Sequence, residues 1–208
     1  MQTTNIFLTR HGETEWNFAH RIQGHLDSPL TQTGILQAKA LAKRLASYQF
    51  SAVYSSDLER AHRTAQYIIS EKAQIILIDT RLRERNLGIF QGLSKKELDI
   101  RFPEEFRCYL SNNPVYIVPD GESKKQFFDR CVLCFKELEQ KHRGENILVV
   151  SHGGLLANIF KYILNIPLDA SRKFSIPNTS LNLLSCTNDN WRLERWGDTA
   201  HLEGLPLI

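Results

Sequence analysis

Four short apolar runs, three of them followed by a helical repeat, constrain this chain more than any other feature. They fall at residues 5–9, 52–54, 75–78 and 147–150, each short and continuous enough for a strand buried on both faces. Ile35, Ala38, Ala42 and Leu45 recur at helical spacing after the first run, residues 61–70 follow the second, and residues 155–164 follow the fourth. This alternation predicts an α/β fold: a three-layer α/β/α sandwich with a mostly parallel central sheet and helices on both faces. Two later strand-like runs, 180–184 and 192–196, flank a turn-rich stretch at 187–190 and extend the sheet edge.

Between the third and fourth strands lies a longer excursion, about 93–144. Its first half is punctuated by prolines and aromatics: Phe102, Pro103, Phe106, Tyr109, Pro114, Tyr116 and Pro119. It is expected to form a small lid subdomain, with Phe106, Tyr109, Leu110 and Tyr116 as candidate apolar contacts and Arg101 and Arg107 as candidate anion contacts. Ser123 and Gln126 have the spacing of a capping box and start a long helix through Lys141. At 208 residues the chain suits a single domain spanning 1–208.

The balance of 26 Lys and Arg against 23 Asp and Glu leaves a charge of only +3. The cations are scattered, which argues against nucleic acid as a partner and favours a small anion. Residues 1–9 lack the pattern of a secretory leader and no apolar run reaches spanning length, so no membrane association and a cytoplasmic location are expected. Cys131 and Cys134 form a CxxC inside a helical pattern that also carries Phe127, Phe135 and Leu138. Without a second CxxC to complete a metal site, the pair is expected to pack in the core.

The chemistry concentrates where strands end. The first strand runs into Arg10, His11 and Gly12, the second into Ser55 through Arg60, and the fourth into Ser151, His152, Gly153 and Gly154. Open α/β sheets bind ligands at the carboxyl ends of their strands. Arginine offers a permanently charged fork matched to phosphate oxygens. Glycines such as Gly153 at a helix start let backbone amides approach an anion. No P-loop, Asp-rich cluster or HxH pair points to a metal, and no cofactor is expected.

The blocks Thr9-Arg10-His11-Gly12-Glu13-Thr14 with Trp16-Asn17, Ser55-Ser56-Asp57-Leu58-Glu59-Arg60-Ala61, Leu82-Arg83-Glu84 and Ser151-His152-Gly153-Gly154 resemble, in order, those of the histidine phosphatase, or phosphoglycerate mutase-like, superfamily. Leu30-Thr31 through Gly34, Gln37-Ala38, Gly121-Glu122-Ser123 and residues 197–202 also match, so the resemblance spans nearly the whole chain. It implies that His11 attacks phosphorus to form a phosphohistidine, and that Arg10, Arg60 and His152, joined by Asn17, cradle the phosphoryl oxygens. Glu84 corresponds to the acid that protonates the leaving alkoxide and then activates water. Gln23 and Gly24 stand where the family lines its pocket with an amide side chain and a backbone amide. Like-charge repulsion from Arg10, Arg60 and a charged His152 is expected to lower the pKa of His11.

The resemblance is nearest to the broad-specificity phosphatase and α-ribazole phosphatase branch, because 68 positions separate Glu84 from His152 whereas true mutases carry an insertion tens of residues longer. The expected activity is metal-independent hydrolysis of small phosphorylated metabolites. The alternatives are phosphoglycerate mutase-type transfer and a catalytically silent phosphate-binding module, and a homodimeric assembly is compatible with either. His20, His25, His62, His142 and His201 are read as solvent-facing or structural, with His25 able to border the pocket. The Asn178-Thr179-Ser180 triplet is read as a turn before a strand.

Overall fold

The computed structural model describes residues 2–205. In chain order its strands are β1 (Thr4–Arg10), β2 (Ala52–Ser55), β3 (Ile76–Ile78), β4 (Asn146–Ser151), β5 (Leu181–Thr187) and β6 (Asn190–Asp198). The helices are α1 (Glu15–Phe18), α2 (Gln32–Arg44), α3 (Glu59–Ile68), α4 (Lys95–Arg101), α5 (Pro103–Leu110), α6 (Lys124–Lys141) and α7 (Gly153–Ile163). The strands form one sheet in the order β3-β2-β4-β1-β5-β6. Its first four members are parallel, and β5 and β6 join as an antiparallel hairpin edge.

Period-two alternation divides the strand side chains between two layers. Ile6, Leu8, Ile147 and Val149 pack against α6 and α7 through Phe127, Phe135, Leu156 and Phe160. Phe7, Val53, Leu148 and Val150 face the other way, onto Leu41 and Leu45 near the end of α2 and Ala61, Ala65 and Ile68 of α3. Both faces are thus covered, which is why these strands read as unbroken apolar runs rather than alternating ones. The third run departs from that expectation. β3 lies at the sheet edge with Leu77 39% and Ile78 47% exposed, because no further strand flanks it.

The excursion also differs from its expected bounds. A small separate core gathers Phe90, Leu98, Phe106 and Val118 with Leu87, Ile89 and Tyr109, and takes in Ile22 from the loop before α2. It therefore begins ahead of residue 93, while most of α6 belongs to the main core. The proline-punctuated stretch folds as α4 and α5. Ser94 and Glu97 form a capping box that starts α4, and Pro103 ends it by excluding helical geometry at Phe102 while serving as the first residue of α5. Ser123 and Gln126 form the expected capping box of α6.

Cys131 and Cys134 are fully buried on α6 between the sheet and α7, and all four cysteines are free. Burial pushes the Cys134 thiol up to about 12 and that of Cys186 up to about 11. Native protein treated with Ellman's reagent should show one rapid thiol, the exposed Cys108, with the other three reacting only on unfolding. Rapid modification of a second thiol would contradict the packing of α6.

Candidate active site

The site begins with two adjacent central strands. β1 and β4 are in parallel register with Arg10 opposite Ser151, and the pairing continues one residue further as His11 N–H donates to Ser151 O at 2.9 Å. The next residue of each chain segment is therefore a histidine, and the two rings lie 5.3 Å apart, centroid to centroid. From β1 the chain passes to α2 on one face, and from β4 to α7 on the other, which opens a crevice at their shared carboxyl ends.

His11 is 3% exposed, and its Nδ1 lies 2.7 Å from Gly12 O. A carbonyl only accepts, so Nδ1 carries the proton and Nε2 keeps its lone pair. Burial first, then the charges of Arg60 and Arg10, hold the imidazole well below its ordinary pKa. His152 was expected to be charged and to add to this repulsion. Instead it is completely buried and its own pKa is pushed well down, first by burial and then by Arg60. Both rings are neutral at neutral pH.

Two guanidiniums lie beside them, that of Arg60 buried and that of Arg10 half-buried. Arg60 is 1% exposed and gives Nη1 to Leu26 O and Asp27 Oδ1 and Nη2 to Gly24 O, at 2.6–2.7 Å. Arg10 gives Nη1 to Ile176 O at 2.8 Å, and burial lowers its pKa only to about 10, so it stays charged. Arg10 Nε, Arg60 Nε and both nitrogens of His152 are buried without a protein partner. An unpaired buried polar group costs about 1–3 kcal/mol, so such a cluster marks a place prepared for acceptor oxygens.

A pocket of about 240 Å³ brings together Arg10, His11, Asn17, Gln23, Gly24, Arg60, Glu84 and Gly153, with the His152 ring next to His11. Asn17 Oδ1 is held by Thr14 N–H and by Asn178 Nδ2, which leaves the Asn17 amide N–H groups free to donate. Gln23 and Gly24 also take part in holding the pocket together. Gln23 Nε2 donates to Thr14 Oγ1 at 2.8 Å, and Gly24, at φ +57°, uses its carbonyl to hold Arg60. Gly153 lies against Arg10, where an added Cβ would stand 3.4 Å from Nε.

Glu84 accepts from Arg85 N–H and Gly154 N–H, each at 2.8 Å. A Cβ on residue 154 would come within 2.1 Å of its carboxyl oxygen, so any side chain there would displace the Glu84 carboxyl. Glu84 makes no ion pair among the described residues. Its neighbour Arg83 pairs with Asp57, and Arg85 Nε donates to Glu122 O.

Several supporting residues were not singled out from the sequence. Asp27 accepts from Glu59 N–H at 2.7 Å and from Arg60 Nη1 at 2.6 Å, so it caps α3 from outside and orients Arg60; Leu58, the local cap residue, makes no side-chain bond. Arg130 on α6 donates to the carbonyls of Arg81, Arg83 and Glu84 and to Glu122 Oε1, clamping the segment that carries Glu84. His25 also donates to Glu84 O. Asn178 donates to His11 O at 2.8 Å, giving the turn before β5 a structural part in the site. The Asp27 contact joins segments 33 positions apart, and no local pattern announces it.

Two arginines beside a neutral imidazole at the ends of parallel strands make a cationic crevice in an α/β protein. The histidine phosphatase superfamily (branch 1) profile matches residues 6–199, and the chain belongs to that superfamily. It is 41% identical over 207 residues to phosphoglycerate mutase-like protein 4 of Arabidopsis thaliana, covering 98% of this chain and 89% of the relative. It is 38% identical over 211 residues to the metal-independent phosphoserine phosphatase of Arabidopsis thaliana, covering 100% and 87%. The solved structure of Bacillus stearothermophilus YhfR superposes with a TM-score of 0.90 at 31% identity, covering 96% of this chain and 99% of that one. Among the described residues no helix is long and apolar enough to cross a membrane.

Two predictions follow the burial of these charges. In the unfolded chain His11 and His152 take up protons near pH 6.5, whereas in the fold they stay neutral. The unfolded state binds more protons below about pH 6.5, so their contribution is fully present above that value and declines as pH falls, by about 1.4 kcal/mol per pH unit for each ring. Urea unfolding at pH 7.5 and 5.5 should show that loss, and equal stabilities would refute it. Asp27→Ala uncaps α3 and strips Arg60 of its counter-charge, at a cost of about 2–4 kcal/mol in the same assay.

Proposed function

We propose that this protein is a metal-independent phosphomonoesterase acting on small phosphorylated metabolites of the cytoplasm, through a phosphohistidine at His11. The observation that carries this reading is the His11 tautomer: Nδ1–H tied to Gly12 O leaves Nε2 as an uncharged nucleophile among Arg10 and Arg60.

Nε2 attacks phosphorus as the bond from phosphorus to the ester oxygen breaks. Arg10, Arg60 and Asn17 donate to the equatorial oxygens, where negative charge sits in the transition state, and His152 adds a ring donor from beside His11. Glu84, held across the pocket by Gly154 N–H, gives a proton to the departing alkoxide. Water then attacks the phosphohistidine and returns a proton to Glu84. Orthophosphate leaves and His11 is restored. The two guanidiniums supply the positive charge that a metal provides in other phosphoryl-transfer sites, and among the described residues no group of three or more acidic, histidine or cysteine side chains is arranged to hold a metal ion. The short span between Glu84 and His152 supports water rather than a second metabolite hydroxyl as acceptor.

Phosphate release from p-nitrophenyl phosphate should persist in excess chelator and vanish in His11→Ala. Rapid quench of labelled substrate should trap an acid-labile phosphoryl group in the parent. Glu84→Gln should slow alkyl phosphates by about 10²–10⁴-fold and p-nitrophenyl phosphate far less, because only the poor leaving group needs the proton. Equal losses for both would remove Glu84 from the proton-donor role. Rapid exchange between 2- and 3-phosphoglycerate would favour transfer over hydrolysis.

A further inference from the structure

Beyond Glu84 a second pocket of about 300 Å³ continues from the first, sharing Glu84, Leu87, Gly154 and Arg172 with it. His11 is not among its lining residues, so it adjoins the phosphate pocket through Glu84 and Gly154. Arg85, Lys124, Lys161 and Arg172 all line it. Their roles differ. Lys161 is used structurally, since Nζ donates to the carbonyls of Pro167, Leu168 and Ala170 and folds that loop back against α7. Asn112 at the end of α5 donates to Asp169 O and joins the same loop to the cap. The loop so held presents Arg172, which makes no hydrogen bond or ion pair among the described residues.

Lys124 has no such partner either. It is half-buried at the first turn of α6, and its ammonium is pushed down to about 8 by burial first, then by Arg85 and Lys161, with Asp169 acting in the opposite direction. Arg85 is 7% exposed; its Nε is bound to Glu122 O and its guanidinium lies 5.6 Å over the Tyr109 ring, leaving Nη1 without a protein partner. Against these four cations the acidic groups near the pocket are Glu84, tied to backbone amides, Asp169, which is exposed, and Glu122, bound to Arg130. The remaining lining includes Tyr109 and Asn158, a phenol and an amide able to bond an anion. The exposed Arg101 and Arg107 are not among the lining residues. Four cations beside fewer acidic groups repel one another, and that repulsion falls when an anion enters.

We propose that this pocket is a specificity subsite, in which Lys124 and Arg172, backed by Arg85, bind a second anionic group, carboxylate or phosphate, on the leaving-group side of the substrate. The inference rests on the phosphatase reading and narrows its substrate class to phosphomonoesters with a further negative charge. Neutral alcohols and sugars would leave the subsite cations unpaired and react less efficiently.

The test compares kcat/KM for 3-phosphoglycerate and for 1,3-propanediol bisphosphate with that for glycerol 3-phosphate, in the parent, Lys124→Gln, Lys124→Arg and Arg172→Gln. A preference of about tenfold or more for one or both dianionic partners is expected, since a single well-placed charge pair is worth about that factor. The arm that shows it tells carboxylate from phosphate. The ratio should collapse in Lys124→Gln and Arg172→Gln and be retained in Lys124→Arg. Calorimetric dissociation constants for the same compounds on His11→Ala give the ratio without turnover, so an inactive parent would defeat the phosphatase reading while leaving this one measurable. Equal ratios across parent and variants, or equal affinities for the charged and neutral compounds, overturn the subsite.

Discussion

The parallel pairing of β1 with β4 is the constraint from which the rest of the site follows. The ladder runs through Arg10 and Ser151 and continues to the His11 amide, so two histidines next to each other in space come from positions 141 residues apart in the chain. A slip of one residue would send every β1 side chain to the opposite face and exchange Ile6 and Leu8 with Phe7 between two differently shaped cores. The hydrophobic layers thereby lock the catalytic register. Packing far from the pocket decides where the imidazoles stand.

Burial then sets the electrostatics. In water, Arg10 and Arg60 would be solvated and His11 would titrate in its ordinary range. Inside the crevice, desolvation is the leading influence on all four groups, ahead of their mutual repulsion. The guanidiniums stay charged because their intrinsic pKa is high, and the imidazoles become neutral because theirs is low. One environment therefore yields permanent cations and uncharged imidazoles together. Asp27 moderates the cost for Arg60 without reaching His11, since its carboxylate is spent on Arg60 and the start of α3.

The cap and the 167–172 loop govern a different property. The Phe90 cluster holds the cap together, Arg130 and Glu122 tie the Glu84 segment to α6, and Asn112 joins cap to loop. The two pockets are thus built from separate parts of the fold that meet at Glu84. Sequence reasoning placed the anion contacts at Arg101 and Arg107 because they sit in the aromatic stretch. The fold turns both to solvent, and the proposed subsite uses Lys124 and Arg172 instead, from the first turn of α6 and the 167–172 loop.

How much was legible depends on the range of each interaction. The alternation of apolar runs with helical repeats, the Ser123 capping box and the histidines at strand ends are local patterns, and each determined its element directly. The resemblance in the four blocks also pointed to His11, Glu84, Arg10, Arg60 and His152, which the fold gathers at one crevice. What only the tertiary structure decided were the contacts between distant segments and the consequences of burial: the exposed edge position of β3, the neutrality of His152, the Asp27 brace on Arg60, the bond from Gln23 to Thr14, and the cations around Glu84. Spacing along a chain encodes periodicity and caps, whereas desolvation and charge proximity arise only when separate segments close around the same volume.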